Sequence, residues 1–401
     1  MSIKKKITIL GATGSIGQNT VDVICNSPDK FEVHAITANT DINALVEIAI
    51  KTNAKKAIIA NQDSLDELTE RLKHTKTQCL AGTEEIIACA GDPVDIVMNA
   101  IVGFAGLRPL VNAIKNKNNV AIANKEPLVA AGKNIMEMVG QNDVSVLPVD
   151  SEHNAIYQVF EEHNKSAIDK LILTASGGPF LDWDTDEMHS ATPEQAVAHP
   201  NWTMGAKISV DSATMMNKAL EIIEAAILFD MPAEQIDVVI HRQSVIHSIV
   251  SYKDGSMLSQ MGHSDMRTPI AYALSWPDRL SKGGDILELD KLSQLTFEKP
   301  DKQKFPAIAY AYKCLALGQG ACVAFNASNE IAVEYFLKGD ISFGEIMQCN
   351  AYAVDVLHPK HHDKPLKTVE DIEELDHTIR HAIKEFIHSE CSAQTKREIN
   401  A

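Results

Sequence analysis

The chain has 401 residues, 45% hydrophobic and 23% charged, a composition that permits two or three globular domains with sizeable cores. A formal net charge of −17 argues against a nucleic-acid surface, which needs clustered Lys and Arg. Seven scattered cysteines show neither zinc nor CxxC spacing, the apolar run Ile7–Leu10 is too short for a signal peptide, and no segment approaches a membrane span. A cytoplasmic protein with reduced thiols is expected.

Lys6–Leu10 reads as a buried strand that runs into Gly11-Ala12-Thr13-Gly14-Ser15-Ile16-Gly17, and a helix follows with Val21, Ile24 and Cys25 on one face. Strand, glycine turn and helix form the setting in which such a turn binds a dinucleotide. Glycines let the backbone approach a pyrophosphate, and the helix start offers free amides. A tight turn without a ligand is the alternative. Phe31–Thr37 predicts the second strand, and its end, Ala38-Asn39-Thr40-Asp41, is where an adenosine ribose is read. That end carries no acid at the last strand residue and no base for a 2′-phosphate, so spacing leaves NAD and NADP both open. Further strands are predicted at Ala57–Ala60, Asp95–Val102 and Val120–Ala123, with a helix over Ser64–Lys73. Asn124-Lys125-Glu126 falls at a strand's carboxyl end, where open α/β sheets bind ligands; capping a helix started by Pro127 is the rival reading.

Val144–Val149 predicts another strand, ending in Asp150-Ser151-Glu152-His153-Asn154. Two carboxylates and a His packed together call for a compensating cation or substrate. With Glu221 they offer three hard oxygen donors and no thiolate, a set for Mg²⁺ or Mn²⁺ rather than zinc. Helix capping by Asp150 or Ser151 explains one of these residues. Between His199 and Ala225, Pro200 forces a loop and a helix is expected from about Ser212, capped by Asp211 or Ser212. Thr214, Asn217, Lys218, Glu221 and Glu224 share one stripe of that helix. The stripe is either a solvated face or one wall of a pocket, with a phosphate at the helix start beside Ser209 and Ser212. Beyond Arg279 come a break at Ser281–Asp285, a polar connector over Leu287–Lys304, and helices at Ala307–Leu317, Asn326–Lys338, Phe343–Leu357 and Val369–Ser389. A frayed tail is expected from Cys391.

The motifs GATGSIG, NKEPLV, LPVDSEHNAIYQ, TASGGPF, the stretch from His199 to Ala225, QSVIHSIV and DMRTPIAYALSWPDR stand in this order. Together they closely resemble the 1-deoxy-D-xylulose 5-phosphate reductoisomerase family, from about residue 7 to 280 and less densely through Ala324–Glu330. The resemblance implies an α/β chain with a Rossmann-like, doubly wound parallel sheet at 1–149 that binds NADPH. It further implies an α+β catalytic domain at 150–280, a connector at 281–304 and a helical domain at 305–390. The implied reaction rearranges a sugar phosphate, 1-deoxy-D-xylulose 5-phosphate, to a branched aldehyde and reduces it to 2-C-methyl-D-erythritol 4-phosphate, for isoprenoid precursors.

Matched residue by residue, Asp150, Glu152 and Glu221 would hold one Mn²⁺ or Mg²⁺. Ser151, Ser176, His199, Ser212, Asn217 and Lys218 would contact the substrate. His153, His199 and Lys218 join the carboxylates as catalytic candidates, the proton donor and acceptor staying open, and His247 lies near the site. Thr13, Gly14, Ser15, Ile16, Asn39, Asn124, Lys125, Glu126 and Gly205 would bind the cofactor, the loop of Trp202 would be a flexible lid, and a homodimer is expected. The chain departs from the family pattern at Thr40, where a Lys is frequent, and at Arg242, where a Pro is usual. Ala206, Ala219 and His263-Ser264 also depart from it. A metal-using hydroxy-acid dehydrogenase and a non-catalytic NADPH sensor are the rival readings; neither uses a phosphate-binding helix start together with three converging carboxylates.

Overall fold

Seven short apolar stretches pair into one sheet: β1 (Lys5–Leu10), β2 (Phe31–Ala38), β3 (Lys56–Ile59), β4 (Gln78–Ala81), β5 (Ile96–Asn99), β6 (Asn119–Ile122) and β7 (Val146–Pro148). Their order is β4-β3-β2-β1-β5-β6-β7, and every pairing is parallel. A parallel sheet needs crossovers that cover both of its faces, so its strands are apolar on both sides. Ile7, Ile9, Ile36, Ile58, Val97 and Ile122 are accordingly all buried. The strand order reverses between β1 and β5, which leaves a crevice at their carboxyl ends. β4 was not foreseen, because four half-covered residues at a sheet edge carry little periodicity. β5 stops at Asn99, short of the expected Val102, which lies in a loop with 71% of its surface exposed.

The computed structural model describes residues 4–202, 204–362 and 364–399, with side chains through 389. The chain divides into two compact units, each assembled from separate segments. The first comprises Met1–Pro127, Ile135–Phe160 and Ser259–Leu289; the second comprises Leu128–Asn134, Glu161–Leu258 and Asp290–Ala401. In the first unit, the helix Arg267–Ser275 comes from far along the chain and adds Ile270 and Leu274 to the core around β1. Lys5 Nζ donates to the carbonyls of Leu274, Ser275 and Trp276 at 3.2, 3.2 and 2.8 Å, a cation placed on the negative end of that helix.

The second unit carries β8 (Ile168–Ala175), β9 (Ile236–Ile240) and β10 (Ile246–Tyr252) of a second sheet, paired in the order β10-β8-β9. β8 runs parallel to β9 and antiparallel to β10. Helices follow at Ala307–Leu317 and Gln319–Lys338, divided by Gly318 at φ +96°, so the second begins well before the expected Asn326. The polar connector is not loose: Ile240 and Glu298 exchange backbone hydrogen bonds of 2.8 and 2.9 Å. The last helix, Val369–Ile399, continues through the expected frayed tail, and only Asn400 and Ala401 of that tail lie outside the described residues. No described helix is long and apolar enough to cross a membrane.

Candidate active site

In the first unit the glycine turn is set by two close approaches. Gly11 has φ +77°, and a Cβ there would lie 2.6 Å from the Ala100 carbonyl oxygen at the end of β5. A Cβ at Gly17 would lie 2.3 Å from the Gly11 oxygen. Only glycine lets β1, its helix and β5 meet so closely. The helix Ser15–Asn26 has Gly14 as its N-cap and no side chain bonded to its leading amides, and Gly14 and Ser15 are exposed. Amides left open in this way are what a dinucleotide turn presents to a pyrophosphate. Asn39 and Thr40 are exposed beyond β2, and Asp41 caps the next helix by accepting from Ala44 N at 3.0 Å. Asn124, at the end of β6, donates to Gly103 O at 3.1 Å, which leads the loop after β5 along the crevice.

Beyond β7, Asp150 caps the helix Ser151–Val159 and accepts from Glu152 N at 3.2 Å. Its other oxygen accepts from Lys125 Nζ, with both side chains less than a tenth exposed. His153, fully buried, sits with Nδ1 3.6 Å from Asp150 Oδ1, and Ser151 Oγ donates to Glu152 Oε2. Capping therefore accounts for one oxygen of one residue. The rest is a buried carboxylate matched by a buried ammonium, and their attraction offsets part of the cost of desolvating both. Lys125 emerges as the counter-ion of Asp150, which the NKEPLV motif does not suggest.

In the second unit the helix of the His199–Ala225 stretch differs from expectation. It begins at Ala206, not Ser212, with Gly205 as N-cap, and ends at Ala213. Met215 then takes a left-handed conformation (φ 59°), and a second helix runs over Met216–Leu228. Neither Asp211 nor Ser212 caps a helix. Asp211 is buried, bonded at 2.8 Å to Lys207 and at 2.8 Å to Asn329 of the Ala324–Glu330 stretch. The residue that serves the second helix start is Thr214, whose Oγ1 accepts from Met216 N at 3.2 Å. Local hydroxyl bonding breaks the run where hydrophobic period alone reads one continuous helix.

The polar stripe of that helix is no solvated face. Thr214, Lys218, Glu221 and Glu224 are buried, Glu221 and Glu224 at 0% and 1% exposure. Lys218 Nζ donates to Glu221 Oε2, and Asn217 Nδ2 donates to Glu221 Oε1 at 2.5 Å. Three- and four-residue spacing brings these groups together on one face.

β8 ends at Ala175, and Ser176-Gly177-Gly178 turns sharply, with φ +99° and +68° at the glycines. A Cβ on Gly178 would come within 2.7 Å of the Ser212 carbonyl oxygen, so glycine is what lets the Ser176 turn lie against the Ser212 segment. His199 links to the same turn. Its Nδ1 accepts from Asn201 N at 3.1 Å and Trp202 N at 2.9 Å, which places the ring proton on Nε2, 3.0 Å from Ser176 Oγ. Ser176 Oγ also accepts from Gly178 N at 3.2 Å. With two donors already pointed at it, the hydroxyl has its own proton to give to a ligand oxygen. Trp202 stands 6.1 Å from the ring of buried His247, and Thr203 of the expected lid lies outside the described residues.

Sequence reasoning overlooked the turn after β9. His241 is buried and donates from Nδ1 to Thr296 O at 2.9 Å, while its Nε2 accepts from Val245 N. Arg242 binds Asp182 through two bonds of 2.6 and 2.9 Å and Glu298 through bonds of 2.6 and 3.3 Å. The guanidinium holds Asp182 and Glu298 below the usual carboxylate range, and they in turn raise its own pKa. The signal was available: Arg242 is one of the positions where the chain departs from the motif pattern.

The sequence profile of 1-deoxy-D-xylulose 5-phosphate reductoisomerase matches residues 7–132, that of its C-terminal domain matches 146–229, and a further DXP reductoisomerase C-terminal domain profile matches 261–382. The chain is 44% identical over 380 residues to the 1-deoxy-D-xylulose 5-phosphate reductoisomerase of Zymomonas mobilis, covering 95% of this chain and 97% of that one. It is 46% identical over 390 residues to the protein of that name from Paraburkholderia xenovorans, covering 96% of each. Among solved structures it is similar to the Zymomonas mobilis enzyme in complex with NADPH, with TM-score 0.87, 41% identity and coverage of 96% and 99%. It is also similar to a DOX-P reductoisomerase in complex with NADPH, fosmidomycin and magnesium, with TM-score 0.92, 40% identity and coverage of 96% and 98%.

Proposed function

The chain belongs to the 1-deoxy-D-xylulose 5-phosphate reductoisomerase family, and from that premise we propose how its own residues carry the reaction. It is an NADP-dependent oxidoreductase that converts 1-deoxy-D-xylulose 5-phosphate to 2-C-methyl-D-erythritol 4-phosphate with NADPH and a divalent cation. Asp150, Glu152 and Glu221 are assigned to one Mn²⁺ or Mg²⁺. The donor chemistry fits: all three are hard oxygen donors, and Asp150 and Glu221 are buried carboxylates that each already hold a cation, the ammonium of a lysine. The cofactor's pyrophosphate is assigned to Thr13, Gly14, Ser15 and Ile16, its ribose to Asn39, and the rest of its length to Asn124, Glu126 and Gly205. When bound, the divalent ion polarises the ketone and hydroxyl oxygens of the substrate, and NADPH supplies the hydride.

The chain's residues do the holding. Ser176, Ser212 and Asn217 grip the phosphate, Ser176 through the hydroxyl proton that His199 and Gly178 turn outward. A substrate fixed by its phosphate stays in place while its carbon skeleton rearranges, which turns two chemical steps into one residence. Lys218 and Lys125 lie against the carboxylates, where each can pass a hydrogen bond from a carboxylate to a substrate oxygen. Ser151 is assigned to the substrate beside Glu152, and His153, buried with Nδ1 3.6 Å from Asp150 Oδ1, stays a candidate for proton transfer. Along the chain, cofactor binding is assigned to 1–149, metal and substrate to 150–280, a connector to 281–304 and a helical buttress to 305–390. A cytoplasmic homodimer is the proposed assembly, checked by light scattering of the purified chain.

The observation that carries the assignment is the pair of buried carboxylates, each with its own lysine, on segments that the family's profiles match. The deciding experiment follows NADPH absorbance with 1-deoxy-D-xylulose 5-phosphate and Mn²⁺, with EDTA and NADH as parallel arms. Metal-dependent oxidation with methylerythritol phosphate as product is expected. Equal turnover with EDTA would remove the carboxylates from their assigned role.

A further inference from the structure

Arg242 sits at the centre of a connected set of bonds in the second unit that ends on the substrate residues. Its guanidinium spans Asp182, on the segment just beyond the Ser176 turn, and Glu298, the connector residue bridged to Ile240. The neighbouring side chains tie the same turn to the same connector: His241 to Thr296 O, and Gln243 to Thr296 Oγ1 at 3.0 Å. The carbonyl of Arg242 accepts from Asn201 Nδ2 at 2.7 Å. Asn201 and Trp202 then donate their backbone N–H groups to His199, which meets Ser176 Oγ.

We propose that Arg242 is a positioning residue for substrate binding, one that holds the His199–Trp202 turn through Asn201 and thereby sets how His199 presents Ser176. The inference rests on the reading of Ser176 and His199 as substrate contacts. An isolated exposed ion pair contributes little, but a planar guanidinium bonded to two carboxylates through all of its nitrogens fixes its own backbone in a way a lysine cannot. A floppier turn would still bind, but with a substrate grip that is ordered only at a cost in affinity. Because this grip is far from the bond-making atoms of the sugar, it acts on binding equally in ground and transition states. The effect therefore falls on KM rather than kcat.

The test is bisubstrate kinetics on the full-length metal-loaded enzyme, with Arg242→Ala, Arg242→Lys, Asn201→Ala, the Arg242→Ala/Asn201→Ala double variant and Ser176→Ala. Arg242→Ala is expected to raise KM for the sugar phosphate about tenfold, with kcat and KM for NADPH changed less than about threefold. Arg242→Lys should recover little of it. Asn201→Ala should reproduce the rise, and the double variant should add almost nothing, since both break one chain of contacts. An unchanged KM in Arg242→Ala, while Ser176→Ala raises it, overturns the positioning role alone. Unchanged KM in both overturns the assignment of Ser176 and this inference with it. Effects of Arg242→Ala and Asn201→Ala that simply add, or a KM for NADPH that rises in parallel, likewise overturn it, since a general loss of structure would do the same.

Discussion

Each unit of this protein buries a carboxylate of the candidate metal set against a lysine, and the two pairs are built differently. Glu221 and Lys218 are three residues apart on one helix, so the helical period alone faces them to each other. Asp150 and Lys125 are far apart in sequence and meet because β6 and β7 are parallel neighbours, with Ile122 opposite Pro148 just before them. The first pair is local and survives any arrangement that keeps the helix. The second exists only if the sheet has its native order. The same chemical unit is thus reached once by short-range geometry and once by topology.

The largest effects should come from breaking these pairs from either side. Asp150→Asn and Glu221→Gln are each expected to lower kcat at least about a hundredfold, because charge developing on the substrate loses its electrostatic partner. NADPH affinity, measured by fluorescence titration, should stay near wild type in both. Lys125→Met and Lys218→Met each strand a buried carboxylate and should cost roughly 3 kcal/mol of stability in EDTA. Mn²⁺ should restore part of that loss, read as a rise in melting temperature larger than that of wild type. Equal metal-induced shifts in variant and wild type would mean that metal and ammonium do not share those oxygens.

Of intermediate size are the glycine turns, one in each unit. Gly11→Ala places a side chain at φ +77° and 2.6 Å from Ala100 O, while Gly178→Ala does so at φ +68° and 2.7 Å from Ser212 O. Each should cost about 1–3 kcal/mol in strain. Their functional effects should separate: Gly11→Ala weakens NADPH binding about tenfold, and Gly178→Ala raises KM for the sugar phosphate by a similar factor. If either variant damages both ligands alike, the division of labour between the units fails.

The smallest effect is on pH, and it distinguishes the units by window. In the second unit, burial first, and then His362 and His361, push the pKa of His358 below its ordinary 6.5. The unfolded chain then binds the extra proton, so this contribution is full above about pH 6.5 and is lost as pH falls below it. In the first unit, burial works to raise Asp92, but hydrogen bonds from Lys56 and His34 outweigh it and leave the carboxyl below its ordinary 3.8. Its contribution persists down to about pH 4 and is lost only beneath that. Hydrogen exchange read peptide by peptide from pH 7 to 4 should show protection around Gln319–Lys338 declining before that around β1 to β3. Protection that declines together in both would remove this distinction.

Much of the candidate site was legible because its residues sit in unbroken motifs. The glycine turn, Asn124 through Glu126, Asp150 through His153, and Asn217 through Glu221 each follow a strand end or a helix period. Those are the two regularities that a chain displays in its own order. Reading failed where a polar side chain competes with the backbone, as at Thr214 and Met215, since the hydrophobic pattern runs on unbroken through that break. It also failed at β4, too short to show a pattern, and at the connector, whose order comes from partners near residues 240 to 243.

The sequence by itself determined that the chain forms a parallel α/β sheet with a glycine turn, and marked along it the candidate carboxylate ligands and the candidate phosphate-binding segment. Strand and helix patterns and oxygen donors are properties of nearby residues. The tertiary structure decided which distant charges neutralise each other, Lys125 with Asp150 and Arg242 with Asp182 and Glu298, and which amide, Asn329, donates to buried Asp211. A buried charge must find its partner in space, and residues 25 to 118 positions apart become neighbours only when strands and helices have packed.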